Sequence, residues 1–467
     1  MNEISLIQTL RNSSLTLYAY HLRTDINEVA ETASNASQLW EQLMRLGDTL
    51  QIPELQHLRQ TLICYEAGQY RSDVEGQLTL GQLSLLPKGK DSMEFQLVVE
   101  ADSTGLKLNG ALSPFRIHDT YAIDLTVFFS LPITLKQLNQ LNPQGLLLSP
   151  HIQASLGQTL LFYAEVDAPQ KDDRAISDAC VAQLLHNQSL PEFLAEGKLL
   201  GNSIFEYDTL ATDPAQQCHI LVWLNHHPLA SEVDEVSERL LYLMLCRHKI
   251  FYAYDQSRLC DRQAKQIYSN LDQNIVQNFS QIAQAPDHLQ QFQTLLREQL
   301  PQMAFEYARH LRDLSDHATT IQTNLKNYQT QMEKLSKLLG NDLTFLQRFQ
   351  DLTQNKFLQQ IQVDREYLAL GQVLFQQLIE IIRGLTELEQ AESDRRLERT
   401  IQVVGVGLGV GAIVGSSSAF IDRPWKSPFS PNADVHPFLS SLLVSLSAAL
   451  LAGFATWWLT RHKKRLL

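Results

Sequence analysis

No C-x-x-C pair occurs in the sequence, and its five cysteines (Cys64, Cys180, Cys218, Cys246, Cys260) are odd in number and far apart. That pattern excludes a disulfide framework and implies reduced thiols in a cytosol-facing protein. The chain also lacks a G-x-x-x-x-G-K-[ST] loop, an H-E-x-x-H pair and a G-x-S-x-G elbow. No P-loop, zincin or hydrolase chemistry is expected, so the chain is read as a non-enzyme without a cofactor. Charge is scarce: 19% of residues, against roughly 25% in ordinary soluble domains. The net charge of −13 argues against a large nucleic-acid footprint, which needs a concentrated positive face. Residues Met1 to Ile4 hold an acid where an export signal would hold bases, so no N-terminal targeting is expected.

What is present divides the 467 residues into unlike regions. Residues 1–69 read as a helical N-terminal cap. Residues 70–230 carry short runs rich in Val, Ile, Leu, Phe and Thr, bounded by Gly, Pro, Asp and Asn, such as Met93 to Glu100, Thr159 to Asp167 and His219 to Asn225. They predict strands of an α/β cytosolic domain, with helices at Ala175 to Asn187 and Leu190 to Leu199. Residues 231–399 read as a long helical hairpin and stalk helix. Leu300, Ala304, Tyr307, Leu311, Leu314 and Ala318 begin a 4,3,4,3 spacing that runs unbroken to Leu339, which predicts a coiled-coil seam. Gly340 and Asn341-Asp342 mark a turn. Tyr367, Leu374, Ile381 and Leu388 then recur every seven, with Gly371, Leu378 and Leu385 between them. No Pro lies between Asn341 and Ile421, so a continuous helix of about 120 Å is expected there.

Two charge-free runs, 400–421 and 437–460, each reach the ~20 residues that cross a bilayer. Arg395, Arg396 and Arg399 precede the first, and four bases between Arg461 and Arg465 follow the second. The expectation is two transmembrane helices joined by an external loop at 422–436, with a basic tail at 461–467 and both termini cytoplasmic. Gly407, Gly411 and Gly415 form a small-residue stripe suited to helix packing. Extending the heptad register places Arg399, Val406, Gly409, Ile413 and Ser416 on one seam as pore-lining candidates. On that seam the arginines either ring the inner mouth or snorkel to headgroups.

The densest chemical constellation is Cys218, His219, His226 and His227, followed by Asp234, Glu235 and Glu238. His226 and His227 are the candidates for a metal, although adjacent strand histidines face opposite ways and His226-His227-Pro228 also reads as a turn. No dedicated metal site is expected otherwise.

A cytosolic α/β domain, a helical hairpin, a long helix entering the first of two spans and a basic tail together resemble the CorA-type family of divalent-cation channels. The resemblance is one of architecture. The family's Gly-Met-Asn occurs nowhere, and its place reads Gly415-Ser416-Ser417-Ser418-Ala419. It implies a pentameric homo-oligomer in a lipid bilayer, with the first span lining a pore gated by the cytosolic domain. The fold expected is thus an α+β cytosolic domain, long antiparallel coiled-coil helices and two C-terminal transmembrane helices in the cell membrane. The function expected is ion conduction. The alternative is a membrane-anchored coiled-coil scaffold or sensor without transport.

Overall fold

A computed structural model describes residues 9–24, 32–73, 82–99, 106–166, 173–186, 190–226, 232–282, 298–338 and 340–391. Beyond these it describes only Gly405, 425–427, 430–435, Ser447 and Leu451. The chain divides into two units: Met1–Arg258 with Ser315–Gln362, and Leu259–Leu314 with Val363–Leu467.

The first unit is built on a mixed ten-stranded sheet. Its strands are β1 (Thr9–Leu22), β2 (Gln82–Ser84), β3 (Met93–Val99), β4 (Leu106–Ile117), β5 (Thr120–Phe128), β6 (Gly157–Val166), β7 (Glu192–Leu199), β8 (Asn202–Asp208) and β9 (Cys218–Asn225), with a two-residue strand at Ile133–Thr134. The order is β7-β8-β9-β6-β1-β5-β4-β2; β3 also pairs with β4, and Ile133–Thr134 with β1. Only β9 and β6 run parallel, with Ile220 beside Leu160 and Val222 beside Phe162. A parallel pair needs a long crossover. Here it contains α2 (Asp173–Leu184) and the β7–β8 hairpin.

Alternation sorts the side chains onto two faces. Leu15, Leu17 and Ala19 of β1, Ile123 and Leu125 of β5, Leu160 and Phe162 of β6 and Ile220 and Val222 of β9 share one core with α1 (Gln38–Leu50) and α2. Within it the Trp40 ring meets Tyr121 edge-on at 5.1 Å. The opposite face lies under residues 233–258 of α3 (Val233–Ile282): the Tyr20 hydroxyl donates to the Leu241 carbonyl at 2.7 Å. Both faces of β9 are therefore covered, and all eight of its residues are buried. Gly340 (φ +74°) turns the chain between α4 (Leu300–Ser336) and α5 (Thr344–Leu352), and its carbonyl accepts from the Gly201 N–H of the β7–β8 turn at 2.7 Å. After α5 a π-helical turn, Thr353–Leu358, leads into α6 (Gln359–Ala391).

The structure corrects several expectations. Residues 1–69 are not simply a helical cap, because Thr9–Leu22 is an interior strand bonded to β5 and β6. Leu190 to Leu199 is mostly strand β7, not helix: Glu192, Glu196 and Lys198 are good helix formers, but pairing with β8 overrides that local preference. The long antiparallel coiled coil is not evident among the described residues. From Ile321 onward the α4 seam is buried within the sheet unit, where the Tyr328 hydroxyl donates to the Leu346 carbonyl and its ring lies 5.4 Å from Phe349. A heptad repeat specifies an apolar stripe, not the element that covers it.

The two transmembrane helices are likewise corrected. Among the described residues no helix is long and apolar enough to cross a membrane. The runs 400–421 and 437–460 lie, apart from Gly405, Ser447 and Leu451, outside the described residues. The longest C-terminal helix described, α6, carries Asp364, Arg365, Glu366, Glu380 and Arg383. Between the two runs, Trp425–Ser427 and Ser430–Val435 pair as antiparallel strands β10 and β11. The assignment to a cell membrane, and the channel built on it, is set aside.

Candidate functional site

The pore candidates Arg399, Val406, Gly409, Ile413 and Ser416, and the stripe Gly407, Gly411 and Gly415, lie outside the described residues, as does His227. His226 follows β9. Its backbone N–H donates to Asn202, and its ring Nε2 donates to Asp173 at 2.9 Å. The acids expected near it are engaged elsewhere or exposed: Glu235 pairs with Arg239 one turn along α3. Among the described residues His226 joins no group of three converging ligands.

The chemistry of the sheet unit concentrates one strand further in. On the face under α3, Glu206 and Asp208 of β8, His219 of β9 and Thr159 of β6 meet Arg247 and His248 of α3. Arg247 donates to Asp208 at 3.0 Å and reaches Glu206 at 3.4 Å. His219 Nε2 contacts Glu206 at 2.9 Å. A carboxylate only accepts, so Nε2 carries the proton and Nδ1 accepts from the Thr159 hydroxyl at 3.4 Å. Thr159 in turn accepts from His248 Nε2 at 2.9 Å. The result is a directional relay, His248 to Thr159 to His219 to Glu206, anchored by one guanidinium between two carboxylates.

Every member of the relay is buried, and Asp208, His219, His248 and Thr159 are fully so. Burial lowers the pKa of both histidines, and Arg247 adds to the effect. Burial alone would raise that of Glu206, but the His219 hydrogen bond and the Arg247 charge outweigh it and hold the carboxyl ionised. Arg247 also lies 4.5 Å above the Phe349 ring. Among the described residues a cleft of about 340 Å³ lies elsewhere, lined by Thr32, Ser37, Tyr70, Arg71 and Asp73. There Arg71 is held by Asp73 at 2.7 Å and by Glu66 at 3.1 Å. The relay can thus clamp α3 to the sheet, but it offers no surface to a substrate.

The sequence reading singled out His219 but missed Arg247 and His248. The available signal was an Arg-His pair inside the apolar helical run Leu243 to Ile250.

The second unit carries an outward-facing apolar stripe. On its part of α6 the buried face is Leu368, Phe375 and Leu378. A separate apolar stripe, Val363, Tyr367, Leu370 and Val373, is exposed, and Tyr268 of α3 and Phe305 of α4 are exposed in the same unit. Lys265 stands 5.8 Å from the Tyr367 ring and 3.8 Å from Asp364. In this unit alone among the described residues, three metal-capable side chains converge: Cys260, His310 and Asp313. Compared with family models, with curated proteins and with solved structures, the chain matches none.

Proposed function

We propose that this protein acts by binding copies of itself, as an oligomeric scaffold, and not by catalysing a reaction. The observation that carries this reading is the stripe Val363, Tyr367, Leu370 and Val373, exposed by 59, 64, 42 and 49%. Contiguous apolar surface of this kind on a helix marks a contact site. A second copy suits it because an isologous interface needs a patch complementary to itself. The stripe is bordered by exposed charges of both signs, Arg365 and Glu366, which an isologous contact can set against each other. The burial of the Glu206, His219 and Arg247 cluster supports a structural over a catalytic use of the chain's densest titratable group.

Sedimentation equilibrium of the full chain tests this reading. The unsubstituted protein should have a mass that is a multiple of the monomer, and Tyr367→Glu with Leu370→Glu should reduce it toward a single chain. A monomeric parent, or a mass unchanged by the double substitution, overturns the reading.

A further inference from the structure

We propose that Cys260, His310 and Asp313 form a binding site for a zinc-type divalent cation. Cys260 lies on α3, and His310 and Asp313 lie three residues apart on α4, a spacing that puts both on one helix face. The thiol sulfur, an imidazole nitrogen and a carboxylate oxygen all lie within 4.8 Å of one another. Tetrahedral zinc with bonds of about 2.0 to 2.3 Å needs donor atoms roughly 3.4 to 3.7 Å apart, so side-chain rotations of about 1 Å complete the geometry.

The surroundings of the three groups favour a cation over simple packing. Cys260 and Asp313 are 7% and 6% exposed, and the Nδ1 atom of His310 is buried without a hydrogen-bond partner. An unpaired buried nitrogen is costly, and a metal bond is one way to satisfy such a group. One thiolate and one carboxylate together match the charge of a dication placed between Cys260 and Asp313. Arg312 donates to the Asp313 carboxylate at 2.7 and 3.1 Å, fixing the ligand from outside. Mixed sulfur, nitrogen and oxygen donors select zinc over magnesium or calcium, which take oxygen alone.

On binding, the Cys260 S–H bond breaks, its proton goes to solvent and the sulfur lone pair forms the metal bond; no electron is transferred. The ion ties α3 to α4 within the second unit, and three protein ligands leave a fourth position for water. This site is independent of the self-assembly reading, since none of its ligands belongs to the α6 stripe.

The test uses the full chain, stripped with a chelator and titrated with cobalt(II), then with zinc. One cobalt per chain should bind with a sulfur-to-cobalt charge-transfer absorption that zinc abolishes. Cys260→Ser should remove that absorption, Cys246→Ser should keep it, and His310→Gln and Asp313→Asn should each weaken affinity by about tenfold or more. X-ray absorption of the zinc-loaded parent, which needs no variant to fold, should find one sulfur at about 2.3 Å among nitrogen and oxygen donors. No stoichiometric cobalt, an absorption that survives Cys260→Ser, unchanged affinity in the other two variants, or a sulfur count other than one overturns the proposal.

Discussion

Arg247 and Asp208 meet at 3.0 Å with both side chains closed to water, one on the first long helix and the other at the end of a strand. Glu206 shares the same guanidinium at 3.4 Å, so a single cation serves two buried acids. Such a group tolerates loss of the cation poorly, because what remains is two uncompensated charges in a low dielectric. Arg247→Met should therefore destabilise the sheet unit by ~3 to 5 kcal/mol, read as a lower urea midpoint. Adding Glu206→Gln and Asp208→Asn to the same chain should recover much of the loss. If the single substitution is silent, the clamp does not hold α3 to the sheet.

The relay also sets a pH dependence. His219 and His248 have folded pKa values below the ordinary 6.5, through burial first and then, for His248, the charge it would share with His219 and Arg247. Both are neutral when folded, and the unfolded chain binds more protons in mild acid. Their contribution to stability is complete above pH 6.5 and is lost as the pH falls below it. Urea unfolding between pH 7.5 and about 5 should show this decline, and His248→Gln should make it shallower. The slope is the readout, since loss of the buried imidazole carries a cost at every pH. An unchanged slope would locate the acid sensitivity elsewhere.

Apart from β7, whose helix-forming residues read as a helix, the strands of residues 106–225 were legible because alternation and turn residues agree there, as in His219 to Asn225. β1 was not. Its Leu15, Leu17 and Ala19 alternate with Thr16, Tyr18 and Tyr20, but both faces are covered, so the contrast between apolar and polar positions is faint. The α4 seam named residues that are buried, yet the pattern is the same whether a helix or a sheet unit covers them. On α6 the heptad reading chose Tyr367 as a seam position, whereas the structure buries Leu368 and exposes Tyr367. Two apolar stripes run along that helix, and spacing alone does not rank them. Cys260 and His310 are separated by 50 positions, so only the packing of α3 on α4 within the second unit brings them together. No local motif encodes that meeting.

Asp124, on β5, works against the relay. Its carboxyl accepts from the Thr126 hydroxyl at 3.0 Å, but burial outweighs that bond and pushes it up to about 6. A raised acid binds its proton more tightly when folded, so its contribution is present below pH 3.8 and is lost as the pH rises through about 6. At pH 8 the chain holds this half-buried carboxylate at a cost. Asp124→Asn keeps an acceptor for Thr126 and should raise the unfolding free energy at pH 8 by ~1 to 3 kcal/mol, with no gain at pH 4. An equal gain at both values would assign the effect to packing and not to charge.

Gly371 gives a prediction whose sign is decided by magnitudes. It lies inside α6, where replacing glycine by alanine ordinarily stabilises a helix by ~1 kcal/mol. A side chain at this position would overlap the Tyr307 hydroxyl, with the ring carbon behind it at 2.7 Å and Tyr268 at 3.1 Å. Tyr307 is 1% exposed and donates to the Leu368 carbonyl at 2.7 Å, so it has little room to retreat. Overpacking of this kind costs ~1 to 3 kcal/mol, enough to cancel or reverse the propensity gain. Gly371→Ala should therefore lower the thermal midpoint of the second unit, and Tyr307→Phe, which removes the nearest atom, should relieve part of the penalty in the double variant. A midpoint raised by Gly371→Ala alone would mean that α6 does not approach Tyr307 as closely as the hydrogen bond to Leu368 requires.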